Sequence, residues 1–495
     1  MKSKEVIRFS LLVFFMSFLI IGFAQTTYRI QFEHPEDDRF SNLIENSQGE
    51  IICIGTRNNN YLGYSDYKGL IYKIGLTGDT ISRTYRFADT AITFHSICEN
   101  PDGSYLIIGT AFPPPYHDHL MMTMILDSEL NYLSKKVFAF PNYTHFQLYH
   151  TLAYADGYYL LGKITNEYEY GYKDHLFCRI GYSGDTIYTK LYPGAPDPMY
   201  FENALFNHDS TEIWIIGQSF NGENLPSILK LDMAFNILEI STMPDPYQLG
   251  QPMTIKWVSD STLLLMGRYD LWPTTGIGDE KIGISIIDTS FTYSPVTYFG
   301  YDETSDYPAY TNSFDFRSND SIFIMGTIGI AGMFWPTQNN SVIFGHLDGE
   351  LNTRVLQYFG GDSYYRAQNI HVCKDGGVLM TALSYNDEIN DWENDIVFWK
   401  VDANGLITGI QNQKTIKRKP IIFPNPGNKS LFLDCGDLTA IIELLDITGR
   451  RTIIATLNPG INEIITSSLK PGIYLCILKF SNGTQETIKW VKQKK

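Results

Sequence analysis

Seven short apolar runs, six of them closing on a glycine, recur along this 495-residue chain at a nearly constant interval. They are IICIGT (51–56), YLIIGT (105–110), YLLGK (159–163), IWIIGQ (213–218), LLLMGR (263–268), IFIMGT (322–327) and VLMTAL (378–383). With Gly55, Gly109, Gly162, Gly217, Gly267, Gly326 and Thr381 as anchors, the steps are 54, 53, 55, 50, 59 and 55 residues. A fixed period of this size marks a repeat architecture, because so short a unit cannot cover its own apolar faces and must stack on copies of itself.

The order of segments within a unit repeats as well. A first run such as HSICEN or NIHVCK leads through a turn such as Pro101-Asp102-Gly103 or Lys374-Asp375-Gly376-Gly377 into the anchored run. A variable stretch of about 14 to 21 residues comes next, then a third run, a second turn and a last run. GLIYKIGLTGDTI (69–81) and HLFCRIGYSGDTI (175–187) are one such third run, turn and fourth run written twice. Runs of four to seven residues, bounded by residues that tolerate positive φ or bond their own backbone, read as strands joined by hairpins. The chain is therefore expected to be all-β, with 25–410 forming a seven-bladed β-propeller. The seventh unit shortens after Leu406, while TYRIQF (27–32) is a fourth strand with no first three. The N-terminal strand is expected to complete the last blade and so remove the open ends of the array.

Strand parity then locates the long loops. The tight turns share one face, and the variable second-to-third loops share the other with the inter-blade connections. Those loops are rich in rings and amides, and the rings selected as a candidate ligand-binding surface are Tyr61, Tyr64, Tyr116, Tyr168, Tyr170, Trp272, Trp335 and Trp392. The opposing expectation is that they pack over one another as a lid.

Charge and composition exclude some functions. The chain carries a formal charge of -16, and residues 25–410 alone carry -25, a body that repels phosphate backbones and argues against nucleic acid as a partner. Motifs for chemistry are sparse. There is no HExxH, P-loop, GxSxG or CxxC, and the dinucleotide-like start at Gly276 and Gly278 fails at Lys281. His117 and His119 offer two imidazoles without an identifiable third ligand, so no metal site is assigned. Asp387, Glu388, Asp391, Glu393 and Asp395 form an acidic cluster that is a weak Ca²⁺ candidate, since it has no glycine-turned ligand loop. Otherwise no cofactor is expected. A polysaccharide hydrolase or lyase needs two carboxylates at a set separation, which sequence does not reveal; it stands as the alternative to a binding module, with a structural surface component as a third reading. Cys53, Cys98, Cys178 and Cys373 fall in four different repeats, inside apolar runs, and read as buried free thiols.

The two ends of the chain address it outward. Met1–Arg8 is basic, Phe9–Phe23 is almost wholly apolar, and Gly22-Phe23-Ala24 supplies small residues before a cut, which is the pattern of a signal peptide over 1–24. No later stretch is long enough to span a bilayer as a helix. The repeat stops at a basic linker over 411–420, with four cations between Lys414 and Lys419. After it come short strands expected at 430–433, 440–446, 452–457, 462–466, 472–479 and 484–491, the pattern of a small Ig-like β-sandwich. IFPNPG (422–427), LLDITGR (444–450), LKPGIYLCILKF (469–480) and KWVKQ (489–493) carry a resemblance. Residues 421–495 resemble the type A C-terminal sorting domain of the type IX secretion system of Bacteroidota. That resemblance implies passage through the periplasm and the outer-membrane translocon, removal of the domain by a sortase, and a secreted or surface-attached product. It implies Pro424, Asn425, Pro426, Asp446, Gly449, Arg450, Gly472, Tyr474 and Lys489 as signal elements. The partners are then the translocon, the sortase and an extracellular glycan or protein ligand of the propeller.

Overall fold

The computed structural model describes residues 26–59, 63–87, 90–116, 118–165, 174–192, 200–218, 226–243, 249–270, 279–301, 304–330, 339–385, 393–407, 421–423, 425–435, 439–458, 461–481 and 485–493. The described chain is all-β; its helical content is one 3-10 turn at Gly63–Asp66.

The first repeat shows how the unit is made. Strands β2 (Asp37–Glu45), β3 (Ile51–Asn58), β4 (Lys68–Ile74) and β5 (Thr80–Tyr85) hydrogen-bond in chain order as an antiparallel sheet. Buried on both faces, β3 reads as a continuous apolar run rather than an alternating one. Strand β5 lies outermost and is only partly buried. Four-stranded sheets of the same order succeed it over 91–138, 145–192 and 200–242. Residues 249–360 form a nine-stranded sheet whose two halves are joined by a single parallel residue pair, Glu280 with Ser305.

The last sheet takes in the N-terminal strand. Strands Tyr364–Val372, Val378–Tyr385 and Asn394–Val401 are completed by β1 (Tyr28–Phe32), which runs antiparallel to the last of them from Tyr28 opposite Lys400 to Phe32 opposite Ile396. The alignment that set Thr381 beside the glycine anchors is off by one: Ala367 pairs with Ala382 as Phe40 pairs with Gly55, so Ala382 holds the anchor position.

Neighbouring sheets share cores, which is why the faces of each can be apolar. Ile52 and Ile54 of the first pack with Phe94 and Ile107 of the second, and Leu106 and Ile108 with Phe146 and Leu160 of the third. Leu161 and Phe177 pack with Phe201 and Ile215, and Trp214 and Ile216 with Ile255 and Leu265 of the nine-stranded sheet. Its halves meet through Met266 and Ile324, and Phe323 and Val342 meet Ile370 and Met380 of the last sheet. Ile30, Ile396 and Phe398 then pack on Cys53, Leu70 and Tyr72 of the first. The sheets thus succeed one another round a ring that closes, as in a β-propeller.

The tail is built from two sheets. Ile421–Phe423, Ser430–Asp434 and Ile461–Ile465 form one, and Ala440–Asp446, Arg451–Leu457, Gly472–Phe480 and Gln485–Lys492 the other. They share a core of Leu431, Leu433, Ile442, Leu444, Cys476, Leu478 and Trp490. All six cysteines are free. Burial pushes the thiols of Cys98, Cys178, Cys373 and Cys476 up to about 12.

Candidate functional site: the central channel

The anchoring glycines explain where a site forms. On the inner strands the register slips beside the anchor: between Phe40 and Asn42, Phe94 and Ser96, Leu148 and His150, Phe201 and Asn203, Pro252 and Thr254, and Ala367 and Asn369. Such β-bulges bring the inner backbone up against the second strand. A Cβ on Gly55 would lie 1.9 Å from the Arg39 carbonyl oxygen, and one on Gly109 2.0 Å from that of Thr93. At Gly162, Gly267 and Gly326 the corresponding distances, to the oxygens of Gln147, Gln251 and Tyr307, are 2.7, 2.5 and 2.6 Å. At these five positions a Cβ does not fit, whereas the last bulge takes Ala382 at its anchor; each bulge re-aims the side chains around it.

The residue just past each bulge is polar: Asn42, Ser96, His150, Asn203, Thr254 and Asn369. In the second half of the nine-stranded sheet the inner path is interrupted. Ala309 N–H bonds Met325 O at 3.1 Å and Met325 N–H bonds Ser313 O at 2.8 Å, which puts Ser313 in the same place. These inner strands, with Tyr310–Asn312, wall a channel of about 1060 Å³ whose lining includes Asn42, His95, His150, Asn203, Asn312 and Asn369.

Charge in the wall is low or paired. Glu202 accepts a hydrogen bond from Gln251 Nε2 at 2.8 Å. Burial pushes its carboxyl up to about 7, against the pull of that bond and of Arg268. His95 Nε2 lies 2.8 Å from Thr110 Oγ1, and burial pushes the ring down to about 4. Burial, with Lys256 adding to it, brings His150 to about 4 as well. Both imidazoles are neutral at neutral pH. Lys256 reaches Asp315 at 3.0 Å, and His371 stands between Asp315 at 3.6 Å and Glu45 at 3.3 Å, a chain of polar contacts tying three sheets. Asn369 is 6% exposed; its Nδ2 donates to Thr311 Oγ1 at 3.1 Å, while its Oδ1 has no partner. Apart from Lys256, paired as above, and Lys163, whose Nζ lies 5.2 Å over the Tyr149 ring, the wall is mostly amides, hydroxyls and the neutral imidazoles of His95 and His150, donors and acceptors that suit a polar ligand.

The rings selected from sequence are only partly placed. Tyr64 stacks on Phe112 at 5.3 Å and meets Tyr67 and His119 edge-on at 5.4 and 4.6 Å, while remaining 46% exposed. His119 lies 4.1 Å from His145, and burial with that neighbour pushes it down to about 4. Tyr116 is half-buried, with φ 72°. Tyr61, Tyr168, Tyr170, Trp272, Trp335 and Trp392 lie outside the described residues, as do His117, Asp387, Glu388 and Asp391. Asp395 accepts the His34 N–H at 3.1 Å beside the β1 seam, and burial, reinforced by Asp38 and Glu33, pushes it up to about 7. Burial also raises Glu393. Among the described residues no group of three or more His, Cys, Asp or Glu side chains is arranged to hold a metal ion. The channel was missed in the sequence, yet it leaves a partial signal there: a polar residue stands 12 to 14 positions before every anchor, and Asn42, Ser96, His150, Asn203 and Asn369 of these line the channel, while Thr254 and Ser313 are buried and bond each other at 2.8 Å.

The tail places its expected signal residues, apart from Pro424, which lies outside the described residues. Asn425 Nδ2 donates to Lys489 O at 2.7 Å and its Oδ1 accepts Val491 N–H at 2.9 Å, fastening the start of the domain, where Pro426 is next in the chain, to its last strand. Asp446 Oδ1 accepts from Thr448 and Arg450 N–H in a turn where Gly449 has φ 80°. Tyr474 is buried against Trp490 with its hydroxyl on Lys470 O at 2.8 Å. Gly472 has open space where a Cβ would stand.

Comparison with known proteins agrees at the tail. Residues 421–493 match the family model of the secretion system C-terminal sorting domain. No curated protein matches the chain. Among solved structures, the β-propeller domain of the Trilobed protease from Pyrococcus furiosus is similar at 11% identity over 76% of this chain and 100% of that one, with a TM-score of 0.41. The NanB sialidase from Streptococcus pneumoniae is similar at 12% identity over 76% and 70%, TM-score 0.39. PorZ, a surface component of the type IX secretion system of Porphyromonas gingivalis, is similar at 11% over 94% and 81%, TM-score 0.25. No helix among the described residues is long and apolar enough to cross a membrane. Residues 421–493 are a type IX C-terminal sorting domain, and the chain is a secreted or outer-membrane-surface protein.

Proposed function

We propose that the protein is an extracellular binding module: a seven-bladed propeller, delivered by an Ig-like sorting sandwich, that takes an uncharged polar ligand, glycan or protein side chain, into its central channel. The blade count rests on the shared cores between successive sheets, with the nine-stranded sheet taken as two blades joined by one residue pair. The observation that carries the reading is the channel itself, about 1060 Å³ and walled by amides from the inner strands. That volume lies just above the ordinary range of small-molecule sites. The rings at Tyr61, Tyr64, Tyr116, Tyr168, Tyr170, Trp272, Trp335 and Trp392 would extend the surface at the loop end.

The test is a glycan and matrix-protein array probed with the mature chain and with Asn42→Trp, which plugs the channel from its wall. Binding by the wild type that the plugged variant loses, at unchanged thermal stability, is the expected result. Equal binding by both would remove the channel from consideration. A second reading, a polysaccharide hydrolase or lyase, draws on Glu202, whose carboxyl near 7 holds a proton to give at neutral pH. Release of sugar by the wild type that Glu202→Gln abolishes would favour it.

A further inference from the structure

A second cavity opens at the tight-turn end, away from the variable loops. It measures about 350 Å³ and lies where turns of the first three sheets meet. Its walls are the rings of Tyr154, Tyr158 and Tyr182, the carboxylate of Glu99 and the amide of Asn100.

The polar tips of this cavity are bound back into the framework. Ser47 donates to Glu99 through both N–H and Oγ, each at 2.7 Å. Tyr158 OH donates to Asn100 Oδ1 at 2.9 Å, and Asn100 Nδ2 donates to Tyr182 O at 3.2 Å. Tyr182 OH donates to Ala155 O at 2.9 Å, and its ring meets Tyr158 edge-on at 5.7 Å. Tyr158 is 2% exposed and sits behind the wall, so the rings left at the cavity are chiefly those of Tyr154 and Tyr182, beside the Glu99 carboxylate and the small residues Pro101, Gly103 and Ala153, with no Lys, Arg or His among the lining residues. The nearby Lys136 is held elsewhere, by Asp185 at 2.6 Å and Ser183 O at 3.0 Å. Rings carry negative faces, and a carboxylate set among them favours a positive guest over a neutral one of the same size.

We infer that this pocket recognises an organic cation, an ammonium or guanidinium head group. The site is independent of the channel in position and in ligand charge. A free small cation and a lysine or arginine side chain of a partner present the same chemistry.

The experiment titrates the mature chain by calorimetry with N-acetyl-lysinamide, tetramethylammonium, a lysine-containing peptide and, as the neutral control, N-acetyl-norleucinamide. The lysine derivative is expected to bind at least about tenfold more tightly than the norleucine derivative, a gap of about 1.4 kcal/mol. Glu99→Gln, which keeps an acceptor for Ser47, is expected to remove most of that preference. Tyr182→Leu, which keeps apolar bulk without a π face, is expected to weaken binding about threefold to tenfold. Tighter binding of the peptide than of the free derivatives identifies a protein partner, and the reverse a small-molecule ligand. Equal binding of the charged and neutral probes, or no binding of any cation at tens of millimolar, overturns the inference. If Glu99→Gln does not fold, ring-current shifts of the lysine methylenes on binding to the wild type read the same contact, and their absence overturns it.

Discussion

A methyl group at Gly109 would sit 2.0 Å from the Thr93 carbonyl oxygen, a backbone atom that cannot swing aside. Gly109→Ala must therefore straighten the bulge or part the two strands. We expect a loss of about 2–4 kcal/mol in urea unfolding, the scale of overpacking in a filled core. The same residue scale shows what the sequence conceals. The turns that follow the third strand with glycine, at Gly78, Gly184 and Gly405, announce their left-handed φ of 81°, 74° and 73°. Four sister turns put Leu130, Phe235, Phe291 and Leu351 into the same conformation, at φ 58–65°. Their side chains are buried, and an aspartate at the turn start, such as Asp127 or Asp232, accepts two backbone N–H groups. Burial of a large side chain outweighs about 1 kcal/mol of backbone strain, so the motif D-x-x-[LF]-[NT] replaces the glycine that turn rules look for.

At the scale of elements, the β1 seam has a pH signature. Asp395 beside it is pushed up to about 7 by burial, so the native state holds its proton where the unfolded chain, with an ordinary carboxyl, has released it. Stability contributed by this group is then lost as pH rises from about 4 to about 7, and is constant above and below that window. The full shift is worth at most roughly 4 kcal/mol, and less for a part-exposed group. Asp395→Asn is expected to remove part of this decline and to raise the pH 7 melting temperature; equal pH profiles for variant and wild type would refute it. The seam was legible in sequence because TYRIQF is an orphan strand with alternating burial, and the tail strands because their turns are marked by glycine, proline and asparagine. The channel wall was not. A bulge is a mismatch between two strands, so it appears only when both are read together, and the off-by-one anchor at Thr381 is the same blindness at work.

For the whole molecule, the address and the cargo have separate cores that touch where Phe432 of the tail meets Tyr132 of the propeller at 5.6 Å. The propeller sheets and the tail sandwich each close their own hydrophobic core. Deleting 421–495 is thus expected to leave a folded propeller stranded in the periplasm, read by fractionation and immunoblot. Unchanged appearance in the medium or on the surface would show that something else directs export. The architecture also orders events in time. Because Tyr28–Phe32 waits for a partner near residue 400, no partial product between them can protect its first and last edges, and each must remain an open, adhesive margin. Maturation of the ring is consequently a single late event. A cell making this protein needs some means of keeping the unfinished polypeptide apart from its siblings until the final repeat has arrived.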